Sequence, residues 1–428
     1  MTQTQPGQAI SGRRRLGGLL RHREFRLLWT GETISSAGNA MAAVAMPLLA
    51  VTALRASTFT VGGLLAASYV PWLILGLPAG AWLDRLPARR VMIICDVVSV
   101  TVYGSIPVAG WLGILTVGQL LAVALLAGSA SVLFGTAYQV YLPSLVAPDD
   151  LVEGNAKLQG SAQAALLGGS GLAGLVMQAF GAAAGLLIDA VSFAVSAACL
   201  LGIGPRTSQP APPRPDTELW RTVTDGLRFV ARDPYLRRLG VFGMVANLAL
   251  TGFQALVIVF LVRVIRLDSL AVGLLSAVLG IGGLSGALTA RRLSRKLGTA
   301  RSLLLATVGA LPFGLLIPLA GAGLRLPFYI AGVLVTAWGI AVANIITAIF
   351  RQVYSPPGML GRVTAIMRFM TIGITPAGAL LGGALGSVIG VRGALWVIFA
   401  VVASSGMLLA TPSFLARRDL PSVPLTSK

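Results

Sequence analysis

GAWLDRLPARR, residues 80 to 90, is a short cationic hinge between two long apolar stretches. Gly80, then Asp84 with Arg85, then Arg89 with Arg90, stand where one apolar run ends and the next begins at Val91. Charges this dense do not sit in hydrocarbon, so the hinge marks the exit of one membrane helix and the entry of the next. The rest of the chain agrees. It is 56% hydrophobic and 11% charged, with a mean hydropathy of +0.84, whereas a soluble globule carries about 25% charged residues. Crossing a bilayer takes about 20 apolar residues. Twelve stretches qualify, near 27–53, 59–82, 91–112, 116–138, 159–180, 183–204, 239–262, 269–290, 302–321, 327–349, 366–388 and 393–412. The expected fold class is all-α integral membrane, with twelve transmembrane helices in two six-helix halves.

A net charge of +19 raises the question of nucleic acid, and the placement of the charges answers it. With the N-terminus in the cytoplasm, Arg55, Arg263, Arg266, Arg325 and Arg392 fall outside and the other 28 of the 33 Lys and Arg fall inside. That asymmetry predicts a multi-pass protein of the inner (cytoplasmic) membrane with both termini cytoplasmic. The lipid bilayer is the expected partner, not nucleic acid. Cys95 and Cys199 fall inside apolar stretches and imply no disulfide or metal framework. His22 is the one histidine, no glycine run leads into Lys-Ser or Lys-Thr, and the acids are scattered. No metal, no cofactor and no enzyme activity is therefore expected. The first apolar stretch is too long for a signal peptide and is expected to remain as a helix.

Residues 205–238 interrupt the apolar pattern with PRTSQPAPPRPDTELW. Leu219, Val223, Leu227 and Val230 then recur at helical spacing with Arg221, Arg228 and Arg232 elsewhere on the wheel, which predicts an amphipathic helix on the inner surface. The expected organisation is a basic N-terminus at 1–26, a six-helix half at 27–204, this linker at 205–238, a second half at 239–412 and a tail at 413–428. Gly286, Ala290 with Arg291, and Arg295 with Lys296 repeat the spacing of the opening hinge between the second and third helices of the second half. A tandem duplication is the simplest source of that repeat, with the acid replaced by Ala290.

The hinge resembles the signature loop between helices two and three of the major facilitator superfamily. FRLLWTGETISSAGNAMAAVAMPLLAV at 25–51, YLPSLVAPDDLVEGNAKLQ at 141–159, IDAVSFAVSA at 188–197 and RQVYSPPGMLGRVTAIMRF at 351–369 resemble its bacterial efflux branch of macrolide and siderophore (enterobactin) exporters. The resemblance implies the major facilitator fold, a substrate site near the midplane between the halves, and export of a small amphipathic compound such as a drug, antibiotic, siderophore or other metabolite. It implies alternating access, with proton-coupled antiport as the expected mode and a uniporter or importing symporter as the alternative. An integral membrane enzyme is the remote rival. Two antiporter features are absent: helix four has no arginine, and Ser170 in GSGLAG, residues 169–174, stands at a signature proline. A small-molecule substrate and protons are the partners implied, and a monomer is expected.

Gly80, Asp84, Arg85, Arg89 and Arg90 are the expected gating motif, with Asp84 pairing with the arginines of its own loop or facing the start of helix eleven when the cytoplasmic side closes. Anchoring in the headgroups is the simpler rival. Intramembrane acids are rare and usually functional, so Glu32, Asp189 and Asp96 are candidates for proton coupling. Glu32, on a cavity-lining helix, leads; Asp96 is expected to pair with Arg89 or Arg90, and a structural hydrogen bond competes for Asp189. Related exporters often carry an aspartate near Asn39, and an amide does not exchange protons. Asn247, Thr251 and Gln254 form one stripe on helix seven, the preferred substrate face. Asn39, Tyr69, Trp72, Trp338 and Asn344 complete the candidate cavity, which suits an amphipathic organic solute. Interhelical hydrogen bonding is the alternative for every amide and hydroxyl.

Overall fold

The computed structural model describes residues 18–76, 79, 82, 86–147, 150–204, 224, 226–356 and 359–421. Gly80, Asp84, Arg85, Leu219 and Val223 therefore lie outside the described residues. Twelve helices among the described residues are long and apolar enough to span a bilayer. They are α1 (Arg23–Thr52), α2 (Thr58–Leu75), α3 (Ala88–Trp111), α4 (Val117–Leu145), α5 (Glu153–Phe180) and α6 (Ala182–Leu201), then α7 (Pro234–Val264), α8 (Ser269–Leu297), α9 (Thr299–Leu319), α10 (Gly323–Tyr354), α11 (Leu360–Val388) and α12 (Gly390–Leu408). Below, the near side is the face where α1 begins and α12 ends.

Local chemistry sets several helix starts. Ser57 and Thr116 accept the amides of Thr60 and Gln119 at 3.1 and 3.2 Å, and Asp268 accepts that of Ala271 at 2.9 Å. Each satisfies an N-terminal donor that has no partner within its helix. Asp233 does more: its Oδ1 accepts the amides of Tyr235 and Leu236, both at 3.0 Å, while its Oδ2 accepts the Tyr354 hydroxyl at 2.7 Å. One buried carboxylate thus joins the start of α7 to the end of α10, under an aromatic cluster of Tyr235, Phe350, Tyr354 and Phe414.

The helix predicted over 302–321 is not regular. α9 leaves α geometry at Leu305, runs as a π turn to Ala310 and continues as a 3-10 helix over Leu311–Leu319. Pro312 and Pro318 supply no amide for an α ladder, and tighter or wider turns accommodate the loss. The segment expected as an amphipathic helix is helical over 226–232. There Val230 is buried and Leu227 exposed, and Gly226 lies against Arg362 and Ile366 at the near end of α11.

Large apolar side chains remain on the outer surface: Trp111 is 77% exposed, Leu288 69% and Ile94 62%. In water such a surface would aggregate, and in a bilayer it is the lipid contact. Inside, α1 packs most extensively on α6, α3 on α4 and α6, and α8 on α10. The halves meet through α5 against α8 and α2 against α11.

Among the described residues, glycines bring the halves together backbone to backbone in the far part of the membrane. A Cβ placed on Gly62 of α2 would lie 2.5 Å from the Ala379 carbonyl oxygen and 3.0 Å from the Gly383 Cα of α11. One on Gly174 of α5 would lie 2.8 Å from the Leu270 carbonyl oxygen and 3.0 Å from the Gly273 Cα of α8. Small-residue seams of this kind let membrane helices touch backbone to backbone.

Candidate functional site

Between the first half and helices α7 and α8 lies a cavity of about 890 Å³. Glu32 and Asn39 from α1, Tyr69 and Trp72 from α2, Asp96 from α3 and Gln254 from α7 lie in its wall. Phe134, Gln163, Ser170 and Phe193 add to it from α4, α5 and α6. Six residues singled out from the sequence are therefore brought together at one place. The wall contains no Lys, Arg or His among the described residues.

The acids have different surroundings. Among the described residues the one ion pair is Glu153 with Lys157 at 2.8 Å, so neither Glu32 nor Asp96 has a cationic partner there. Asp96 is 1% exposed, and neither of its carboxylate oxygens has a hydrogen bond within 3.5 Å, the Ser196 side chain standing near them. The expected pairing of Asp96 with Arg89 or Arg90 is not formed. Arg89 is committed elsewhere: its Nε donates to the Leu200 carbonyl at 2.9 Å and its Nη2 to that of Leu201 at 3.1 Å. These carbonyls end α6, where the helix leaves acceptors unsatisfied and favours a cation. Arg90 is exposed.

Asp189 lies behind the wall, fully buried between α6 and α1. The Ser192 hydroxyl donates to its backbone carbonyl at 2.7 Å and to its Oδ1 at 3.4 Å, and its Oδ2 has no partner. A Cβ on Gly38 of α1 would come within 2.5 Å of that Oδ1. Glycine at 38 is thus what leaves room for the carboxyl group between the helices.

The stripe Asn247, Thr251 and Gln254 is divided by its neighbours. Asn247 donates to the Thr371 carbonyl and, at 3.2 Å, to the Thr375 hydroxyl, both on α11. Thr251 is buried and donates to the Asn247 carbonyl at 2.7 Å. Gln254 alone of the three reaches the cavity wall. The three share one helix face, but Asn247 and Gln254 stand two turns, about 10.5 Å, apart along the axis, so the two ends meet different partners at different depths. Trp338 is also outside the wall, donating from Nε1 to the Thr289 hydroxyl at 2.8 Å, and Asn344 is exposed on α10.

Two arginines stand out in the structure that sequence reasoning passed over. The Arg368 guanidinium of α11 sits 5.2 Å from the Trp72 ring centroid, a cation–π contact between the halves. In the sequence it stood only two residues inside the span expected at 366–388; the structure begins α11 at Leu360, which places it about 12 Å along the helix. Arg263, near the far end of α7, donates to the Ala56 carbonyl at 2.7 Å and the Val51 carbonyl at 3.4 Å. It ties α7 to the α1–α2 connection, a bond with no sequence pattern to announce it.

Twelve spans in two halves around a central cavity define a membrane transporter of the major facilitator type. The chain belongs to the family described as transmembrane secretion effector, matched over residues 18–424. It is 28% identical over 384 residues to the uncharacterized MFS-type transporter y4rN of Sinorhizobium fredii, covering 88% of this chain and 91% of that protein. It is 26% identical over 409 residues to the multidrug efflux pump Tap of Mycolicibacterium fortuitum, covering 91% and 96%. It is also 26% identical over 392 residues to the enterobactin exporter EntS of Escherichia coli O1:K1, covering 86% of each. Among solved structures, an inward-facing bacterial homologue of the iron transporter ferroportin superposes with a TM-score of 0.74 at 18% identity, covering 92% of this chain and 99% of that one. The nucleoside transporter NupG does so at 0.71 and 14%, covering 92% and 98%.

Proposed function

We propose that this transporter exports a small amphipathic organic compound by alternating access, coupled to proton entry, with the near side facing the cytoplasm of the inner membrane. The observation that carries this reading is the central cavity, which combines carboxylate, amide and aromatic groups within apolar walls. Efflux proteins among its relatives support the direction, and the arginine asymmetry supports the orientation. The glycine seams that join the halves toward the far side fit a state in which that side is closed. Glu32 and Asp96, unpaired in the cavity wall, are the proposed proton carriers, with Asp189 behind them. One charge crossing 100 mV supplies about 2.3 kcal/mol, enough to sustain a useful concentration ratio.

Arg89 and Arg90 belong to the proposed near-side gate together with Gly80, Asp84 and Arg85. Proteoliposomes with an imposed pH gradient and a panel of labelled amphipathic compounds test the function. Gradient-dependent flux of at least one compound, collapsed by a protonophore, is the expected result; no such flux for any panel member overturns it.

A further inference from the structure

The cavity wall carries a pronounced charge imbalance. Glu32 and Asp96 contribute two carboxylates, neither ion-paired among the described residues, and the wall holds no cationic side chain there. Asp96 is 1% exposed, and neither oxygen has a hydrogen bond within 3.5 Å, with the Ser196 side chain its polar neighbour. A buried carboxylate without partners is costly and is relieved by a proton or a bound cation. Beside the acids stand the rings of Tyr69 and Phe134, whose faces attract a cation, and that of Trp72, which adds apolar area. Arg368 stacks on Trp72 but is not part of the wall.

We infer that the substrate of this cavity is a monovalent organic cation with an aromatic or otherwise apolar body, its charge held by Glu32 with Asp96 behind. This rests on the transport reading above and narrows its substrate class. A multiply anionic solute would face two carboxylates with no cationic side chain in the wall itself, so an exporter of anionic chelators is disfavoured by the same wall. Drug-sized ligands occupy pockets of about 300 to 1,000 Å³, and a cavity of about 890 Å³ accommodates a bulky cation.

The test is a pair of probes with one shape and opposite charge, tetraphenylphosphonium and tetraphenylborate, titrated against the purified full chain in detergent with a micelle-only control. Saturable binding of the phosphonium at least tenfold tighter than that of the borate is expected. Glu32→Gln should weaken phosphonium binding at least tenfold, and Glu32→Asp should retain it within a few fold, each eluting from gel filtration as the parent does. Equal affinity for the two ions, preference for the borate, absent phosphonium binding, or an unaffected E32Q variant would each overturn the inference. Proteoliposome flux separates the two levels. Movement of neutral or anionic compounds without phosphonium transport sinks the substrate class and leaves the transport reading standing, whereas no flux of any kind sinks the transport reading itself.

Discussion

Single side chains hold the ends of this bundle together, and they do so with polar groups placed where a helix lacks partners. Asp233 caps α7 and accepts the Tyr354 hydroxyl while fully buried. Asp233→Ala should therefore cost about 2 to 4 kcal/mol, from the lost cap together with the lost bond to the Tyr354 hydroxyl. Asp233→Asn, which keeps an acceptor oxygen, should cost less. Thermal unfolding in detergent reads both, and equal midpoints for parent and D233A would refute the assignment. Arg263 presents a different case, because its bonds to Ala56 and Val51 cross between the halves. A contact made in only one state biases the equilibrium by its own energy. Arg263→Gln should shift the population toward the far-side-open state by about 1 kcal/mol, roughly fivefold. Labelling of a single cysteine at Thr60 by an impermeant thiol reagent measures the shift, and unchanged labelling would count against a latch.

Each helix reads its own residues through the neighbours it touches. α11 shows this best: Gly382 faces Gly252 of α7 within one half, while Gly383 faces Gly62 of α2 in the other. Adjacent glycines on one helix thus serve two different contacts. Gly382→Val should destabilise the second half as a folded unit, since a Cβ there lies 2.5 Å from the Gly252 Cα with no alternative packing. Gly62→Val should instead separate two halves that are able to part, raising far-side accessibility while the unfolding midpoint changes by only a few degrees. Unfolding and cysteine accessibility on the two variants distinguish these outcomes; identical behaviour would contradict the division. The polar stripe on α7 teaches the same lesson. Its spacing was legible, but Asn247 and Thr251 serve helix contacts while Gln254 faces the cavity.

At the level of the whole molecule, two halves enclose a cavity and, among the described residues, touch backbone to backbone toward the far side. Ala43 lines that cavity and is exposed within it. A single cysteine at Ala43, in a background with Cys95 and Cys199 replaced, should be labelled by an impermeant thiol reagent applied from the near side and protected from the far side. Labelling from the far side alone would reverse the proposed resting orientation. How much of this site was readable in advance depends on the cost of polarity in a membrane. Glu32, Asp96 and Asp189 were found because intramembrane acids are rare, and Tyr69, Trp72 and Gln254 because polar or aromatic residues interrupt apolar runs. Arg368, Arg263 and Asp233 were not, since their meaning comes from a ring, two carbonyls and a hydroxyl far away in the chain.

By itself the sequence determined the class of protein and the number of spans, because a bilayer demands long apolar helices and places charge in the loops between them. It also supplied the chemistry available to the site. Only the tertiary structure decided which residues share the cavity, that Arg89 closes α6 and leaves Asp96 unpaired, and where the halves meet through glycine. Those outcomes depend on how each helix is rotated against partners hundreds of residues away, and periodicity along one helix carries no information about which neighbour will stand on each face.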